Sequence, residues 1–204
     1  MILNLMESLD IKGHLTITKV YNSGNEEVIF DDHNIIVSGM GVSLAHLFAL
    51  SGSDSILDYQ IDRFQIGISG AAALEVSSTN QLSGPLSSFA EYGVDGDILQ
   101  TSAYQIINNA IVSVPRYYGI IPQQNITRID ANTVRYTIVL DENSCNGEDI
   151  TRGGSQKYLN EVGLFVKNIK NNVIDAPTLV AYRHFDDILK TSDFSLVFRW
   201  SINF

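Results

Sequence analysis

The chain has 204 residues, 45% apolar and 18% charged, and its 13 Lys and Arg against 23 Asp and Glu give a net charge of −10. The length suits one large domain over residues 1–204 with a sizeable interior, and scattered basic residues on an acidic chain exclude a phosphate-binding face for DNA or anionic membranes. A lone cysteine, Cys145, forms no internal disulfide and has no zinc-type spacing around it. Residues 1–10 lack a basic leader, and nowhere do about eighteen apolar residues follow one another, so neither a signal peptide nor a membrane insertion is expected and synthesis is expected in the cytosol.

Residues 13–21 alternate, Leu15 and Ile17 against Thr16 and Thr18, and the polar stretch 22–25 separates them from Val28-Ile29-Phe30. That pattern predicts a hairpin. The run Asp31-Asp32-His33-Asn34 then leads into a further strand, Ile35-Ile36-Val37. Met40, Leu44, Leu47 and Phe48 recur at helical spacing before Gly52, which predicts a single helix over about 39–51. Phe64, Ile66 and Ile68 predict a short strand over 63–68.

Between about 70 and 125 the pattern breaks into Ser, Gly, Asn and Ala with short apolar pieces such as 105–114, and a long irregular insertion is expected there. Order returns at 125–129 and in Val134, Tyr136, Ile138 and Leu140. Strands follow at 158–167 and 178–185. The last stretch is the clearest: Phe194, Leu196, Phe198, Trp200, Ile202 and Phe204 fall on alternate positions, so one face of a closing strand is greasy and the other wet. Such alternation belongs to antiparallel sheets. The expected class is mainly β, an antiparallel β-sandwich-like domain with one short helix.

Local signatures of chemistry are weak. Gly39-Met40-Gly41 lies where a dinucleotide fingerprint would, yet the third glycine position is Leu44. Gly67-Ile68-Ser69-Gly70 lacks one residue of a nucleophile elbow. The loop opening Asp141-Glu142-Asn143 matches a calcium loop for three residues, then puts Cys145 where an oxygen ligand is wanted and Arg152 where the closing glutamate belongs. His14, His33, His46 and His184 sit in separate elements without metal-ligand spacing. No catalytic, cofactor or metal residue is therefore assigned, and no cofactor is expected. Tyr117 and Tyr118, next to Arg116, form a possible interface platform, since Tyr and Arg are enriched at binding hot spots.

The C-terminal third carries a more specific order of motifs. Asn160-Glu161-Val162-Gly163-Leu164-Phe165 is followed by a turn near Asn171-Asn172, an apolar strand Leu179-Val180-Ala181, Ile188-Leu189-Lys190, and a final strand ending Trp200-Ser201-Ile202-Asn203-Phe204. This order resembles tail structural proteins of tailed bacteriophages, of the baseplate or tail-fibre attachment type. The residues that carry it are Glu161, Gly163, Phe165, Lys190, Phe198, Trp200 and Ile202, while Gly13–Ile17 and His33–Val37 look like the opening of small phage-tail proteins. The resemblance implies a non-enzymatic virion protein of the tail, assembled in the host cytoplasm and bound to other tail proteins and copies of itself, in a baseplate, neck or fibre-adaptor position. A rival reading is a lectin-like β-sandwich, with Tyr117, Tyr118 and the acidic loop 141–149 taking a glycan or calcium. Within the motif, Gly163 is expected to pack tightly beneath Trp200 or to mark a bulge. Glu161 is expected either to pair across strands with Lys190 or Arg183 or to be solvated.

Overall fold

The computed structural model describes residues 11–36, 38–50, 55–67, 103–107, 110–114, 118–146, 158–166 and 178–204. Strands β1 (Lys12–Tyr21) and β2 (Glu26–Ile36) form the expected hairpin. Gly24 takes φ +87° at its tip, where its N–H donates to the Tyr21 carbonyl at 2.8 Å. A glycine has no Cβ to oppose that left-handed backbone. The polar run 31–34 does not end a strand as expected, because β2 continues through it, paired with β1 as far as Asn34.

Helix α1 (Ser38–Phe48) follows, buries Met40, and rests Leu44 and Leu47 against the core. A 3-10 turn, Ile56–Tyr59, leads to β3 (Ile61–Gly67). The Ser55 hydroxyl caps that turn by accepting from the Leu57 N–H at 3.3 Å. Most of the segment expected to be irregular lies outside the described residues, but four pieces of it have form. They are the hairpin of β4 (Ala103–Ile107) and β5 (Ala110–Val114), strand β6 (Tyr118–Ile120), and a 3-10 turn at Gln123–Asn125. Then come β7 (Ile126–Arg128), β8 (Thr133–Leu140), β9 (Leu159–Val166), β10 (Thr178–Ile188) and β11 (Phe194–Asn203).

Nine strands make one antiparallel sheet in the order β6-β3-β9-β10-β2-β1-β11-β8-β7. The fold is mainly β with one helix, as the alternation implied. β2 joins two limbs: its first part pairs with β1, while only Ile35 and Ile36 pair with Tyr182 and Ala181 of β10. The sheet curls so that the limbs face each other, and Phe185 of one limb meets Phe198 of the other with ring centroids 6.2 Å apart. Phe30 closes the same contact from β2, 6.1 Å from Phe185.

β11 lies in the middle of one limb, between β1 and β8. Its inward residues Phe194, Leu196, Phe198, Trp200 and Ile202 are buried, which contributes on the order of 10 kcal/mol at about 1.5–3 kcal/mol per large apolar side chain. Phe204, next in that alternation, instead lies past the strand and is 39% exposed. β9 differs from β11, since every residue from Glu161 to Val166 is buried and both of its faces are covered.

Candidate functional site

The motif residues fall into two groups. Phe198, Trp200 and Ile202 stand on the inward face of β11 within the core. Glu161, Gly163 and Phe165 alternate on β9 with the core residues Val162, Leu164 and Val166, and so face the other way. Glu161 is fully buried and accepts a hydrogen bond from the Tyr182 hydroxyl at 3.1 Å. Gly163 does mark a close approach, but its neighbours are not Trp200. A Cβ there would lie 2.6 Å from Leu179 Cδ1 and 3.1 Å from Phe165 Cε2. The register of β10 against β9 also slips between Leu179 and Ala181, beside this glycine.

Lys190 is fully buried and does not pair with Glu161. Its ammonium donates to Asn146 Oδ1 at 3.0 Å and to the Thr191 carbonyl at 2.7 Å, and lies 5.3 Å from the Phe194 ring. Burial pushes its pKa down to about 8, against the opposing pull of Cys145, Asp141, Glu142 and Asp193. The neighbouring Cys145 is buried at φ 57°, a left-handed backbone that side chains rarely adopt, and burial raises its thiol pKa. In the same loop Asp141 Oδ1 accepts from the Asn143 N–H at 3.0 Å and the Ser144 hydroxyl at 2.6 Å. The described part of the acidic loop, residues 141–146, is thus tied by internal hydrogen bonds and takes the Lys190 ammonium at Asn146. Among the described residues no group of three or more His, Cys, Asp and Glu could hold a metal ion.

Two histidines that the sequence places in separate elements are brought together by register. His14 and His33 face each other across β1 and β2 with centroids 5.6 Å apart, and His14 Nε2 lies 2.7 Å from Asp31 Oδ1. With the Thr16 hydroxyl, that contact lowers the pKa of the exposed Asp31. Arg183 joins β10 to β2 through an ion pair with Asp32 at 2.7 Å. Tyr117 lies outside the described residues. Tyr118 opens β6, a rim strand, opposite Gln65 of β3.

Sequence reasoning missed a concave feature among the described residues. A cavity of about 260 Å³ opens between α1 and the sheet, where β3 and β9 approach β7 and β8. Its walls include Met40, Leu44, Ile61, Ile126, Val134 and Phe204 with the polar Ser43, Gln60 and Gln123, and none of the described side chains around it is charged. Tyr136 lines it while only 5% exposed, and its hydroxyl, which bonds to none of the described residues, keeps contact with solvent through the cavity. Burial raises the pKa of that phenol, which therefore stays a neutral donor. Nearby, α1 and the 3-10 turn leave Phe48, Ile56 and Leu57 at 84%, 55% and 58% exposure. No helix among the described residues is long and apolar enough to cross a membrane.

Compared with known proteins, the chain matches no protein-family model, no curated protein and no solved structure.

Proposed function

We propose that the chain is a non-enzymatic structural protein of a bacteriophage tail, in a baseplate, neck or fibre-attachment position, that works by binding other tail proteins and copies of itself. The class comes from the ordered motif of the C-terminal third, whose residues Phe165, Lys190, Phe198, Trp200 and Ile202 are buried frame. Contact with proteins is supported by one observation above all: Phe48, Ile56 and Leu57 stand exposed around a helix that carries no Asp, Glu, Lys or Arg. Exposed apolar surface of this kind supports a contact with another protein. Assembly then takes place in the host cytoplasm, and the mature location is the virion.

Antibodies raised against the purified chain test this reading on tailed particles released from the source culture. Immunogold label at the tail or its distal plate is the expected result. Purified infectious particles that carry no label, and no peptide of the chain by mass spectrometry, would overturn it.

A further inference from the structure

The seam of the curled sheet combines, among the described residues, an open strand edge, a cavity and a tyrosine hydroxyl that faces the cavity. β6 and β7 are the two rims of the sheet, and only residues 121–125 run between them. At β7 the Ile129 N–H donates to the Thr133 carbonyl at 2.9 Å. Antiparallel ladders alternate bonded and non-bonded pairs, so Thr127 and Arg135 form the next bonded pair and Arg128 turns its N–H and C=O to the outer side, where none of the described strands pairs. Ile126 of the same strand lines the cavity, as does its ladder partner Tyr136.

We propose that this seam receives an extended segment of a neighbouring tail subunit, which lays its backbone along the open edge of β7 and places one bulky, uncharged apolar side chain in the cavity. Three observations select that occupant. Adding a strand to a free edge supplies main-chain bonds, and a pocket beside the edge reads the side chain. The volume of about 260 Å³ exceeds the roughly 150 Å³ that accommodates a benzene ring. The lining side chains are uncharged, and the Tyr136 hydroxyl can donate to a carbonyl of the incoming segment in place of solvent. The neighbouring subunit as source rests on the tail assignment; the receptor itself does not.

The test uses the purified chain and a capped peptide, Thr-Val-Thr-Phe-Thr-Val-Thr, followed by amide NMR shifts. Saturable binding with shifts at Ile126, Arg128 and Tyr136 is expected. A central Asp in place of Phe should weaken it by about tenfold or more, because the carboxylate would enter a mainly apolar site with no cationic side chain to pair it. Tyr136→Phe should weaken it roughly 2- to 12-fold, the loss of one hydrogen bond, and Leu44→Trp, which fills the cavity, should abolish it. Should Leu44→Trp fail to fold, Tyr136→Phe and the peptide series still decide. Equal binding by a backbone N-methylated peptide would mean that the cavity takes free apolar groups and would overturn strand addition. Absence of saturable binding would overturn the receptor altogether. Peptide binding without tail label would retain the receptor and remove the virion source, so the two readings fail separately.

Discussion

Lys190 gives a sharp pH prediction. Its pKa is about 8 in the fold against 10.5 for an ordinary lysine, so below about pH 8 both states carry the proton and the cost of burying the charge is felt in full. From about 8 to 10.5 the folded state releases the proton while the unfolded chain keeps it. The unfolded state then binds more protons, and stability rises with pH. For one proton the slope cannot exceed about 1.4 kcal/mol per pH unit, and integration from pH 7 to 9 gives roughly 1 kcal/mol. Cys145 opposes this, because its folded-state pKa is raised. As an unfolded thiol ionises near about 8.5, the unfolded chain loses a proton that the fold retains, which cancels on the order of half the gain by pH 9. Urea unfolding at pH 7, 8 and 9 measures the sum, read by the fluorescence of Trp200, the single tryptophan and a fully buried one. Wild type should gain slightly, Cys145→Ala should gain about 1 kcal/mol, and Lys190→Met should lose its upward component and slope downward. An unchanged upward slope in Lys190→Met would refute the assignment.

Phe198→Ala should cost about 3–5 kcal/mol by leaving a cavity against Phe185, and Phe198→Asp should leave the chain unfolded, whereas Ser201→Thr on the outward face should be nearly silent. Thermal melts compare the three. Gly163→Ala drives a methyl into Leu179 and should cost about 1–3 kcal/mol. Combining it with Leu179→Ala should cost less than the sum of the two single changes, and strict additivity in a double-mutant cycle would deny the contact. Asp32→Asn breaks the pair with Arg183, yet Asp32 is half exposed, so denaturant melts should move by no more than about 1 kcal/mol.

How far the sequence could be read followed from solvent. β11 was legible because one face is wet, and its alternation of buried and half-buried residues reproduces the period of two. β9 was visible as a strand, but its burial on both faces erased the alternation that would have told which residues point inward. The polar run 31–34 looked like a break because strand residues are expected to be apolar. In the fold that stretch of β2 pairs with β1 alone, while β10 joins only at Ile35 and Ile36, so its side chains stay at the surface. The cavity was illegible for a different reason. Its lining runs from Met40 to Phe204, and Tyr136 looks in sequence like any inward residue of β8; only the curl shows that its hydroxyl faces the cavity. The His14–His33 contact depended on strand register in the same way.

The pairing of β1 with β11 also dictates when the molecule can be finished. Thr18 accepts a hydrogen bond from Arg199, 181 positions further along, so the early hairpin waits with one rim open until nearly all later strands have been synthesised. Closure over so long a separation is entropically slow. During translation the unpaired side of β1 remains a ready template for stray strands, including those of sister nascent chains. Crowded polysomes are thus where this protein is most exposed to mispairing, and slower synthesis of the segment before β11 would lengthen that window.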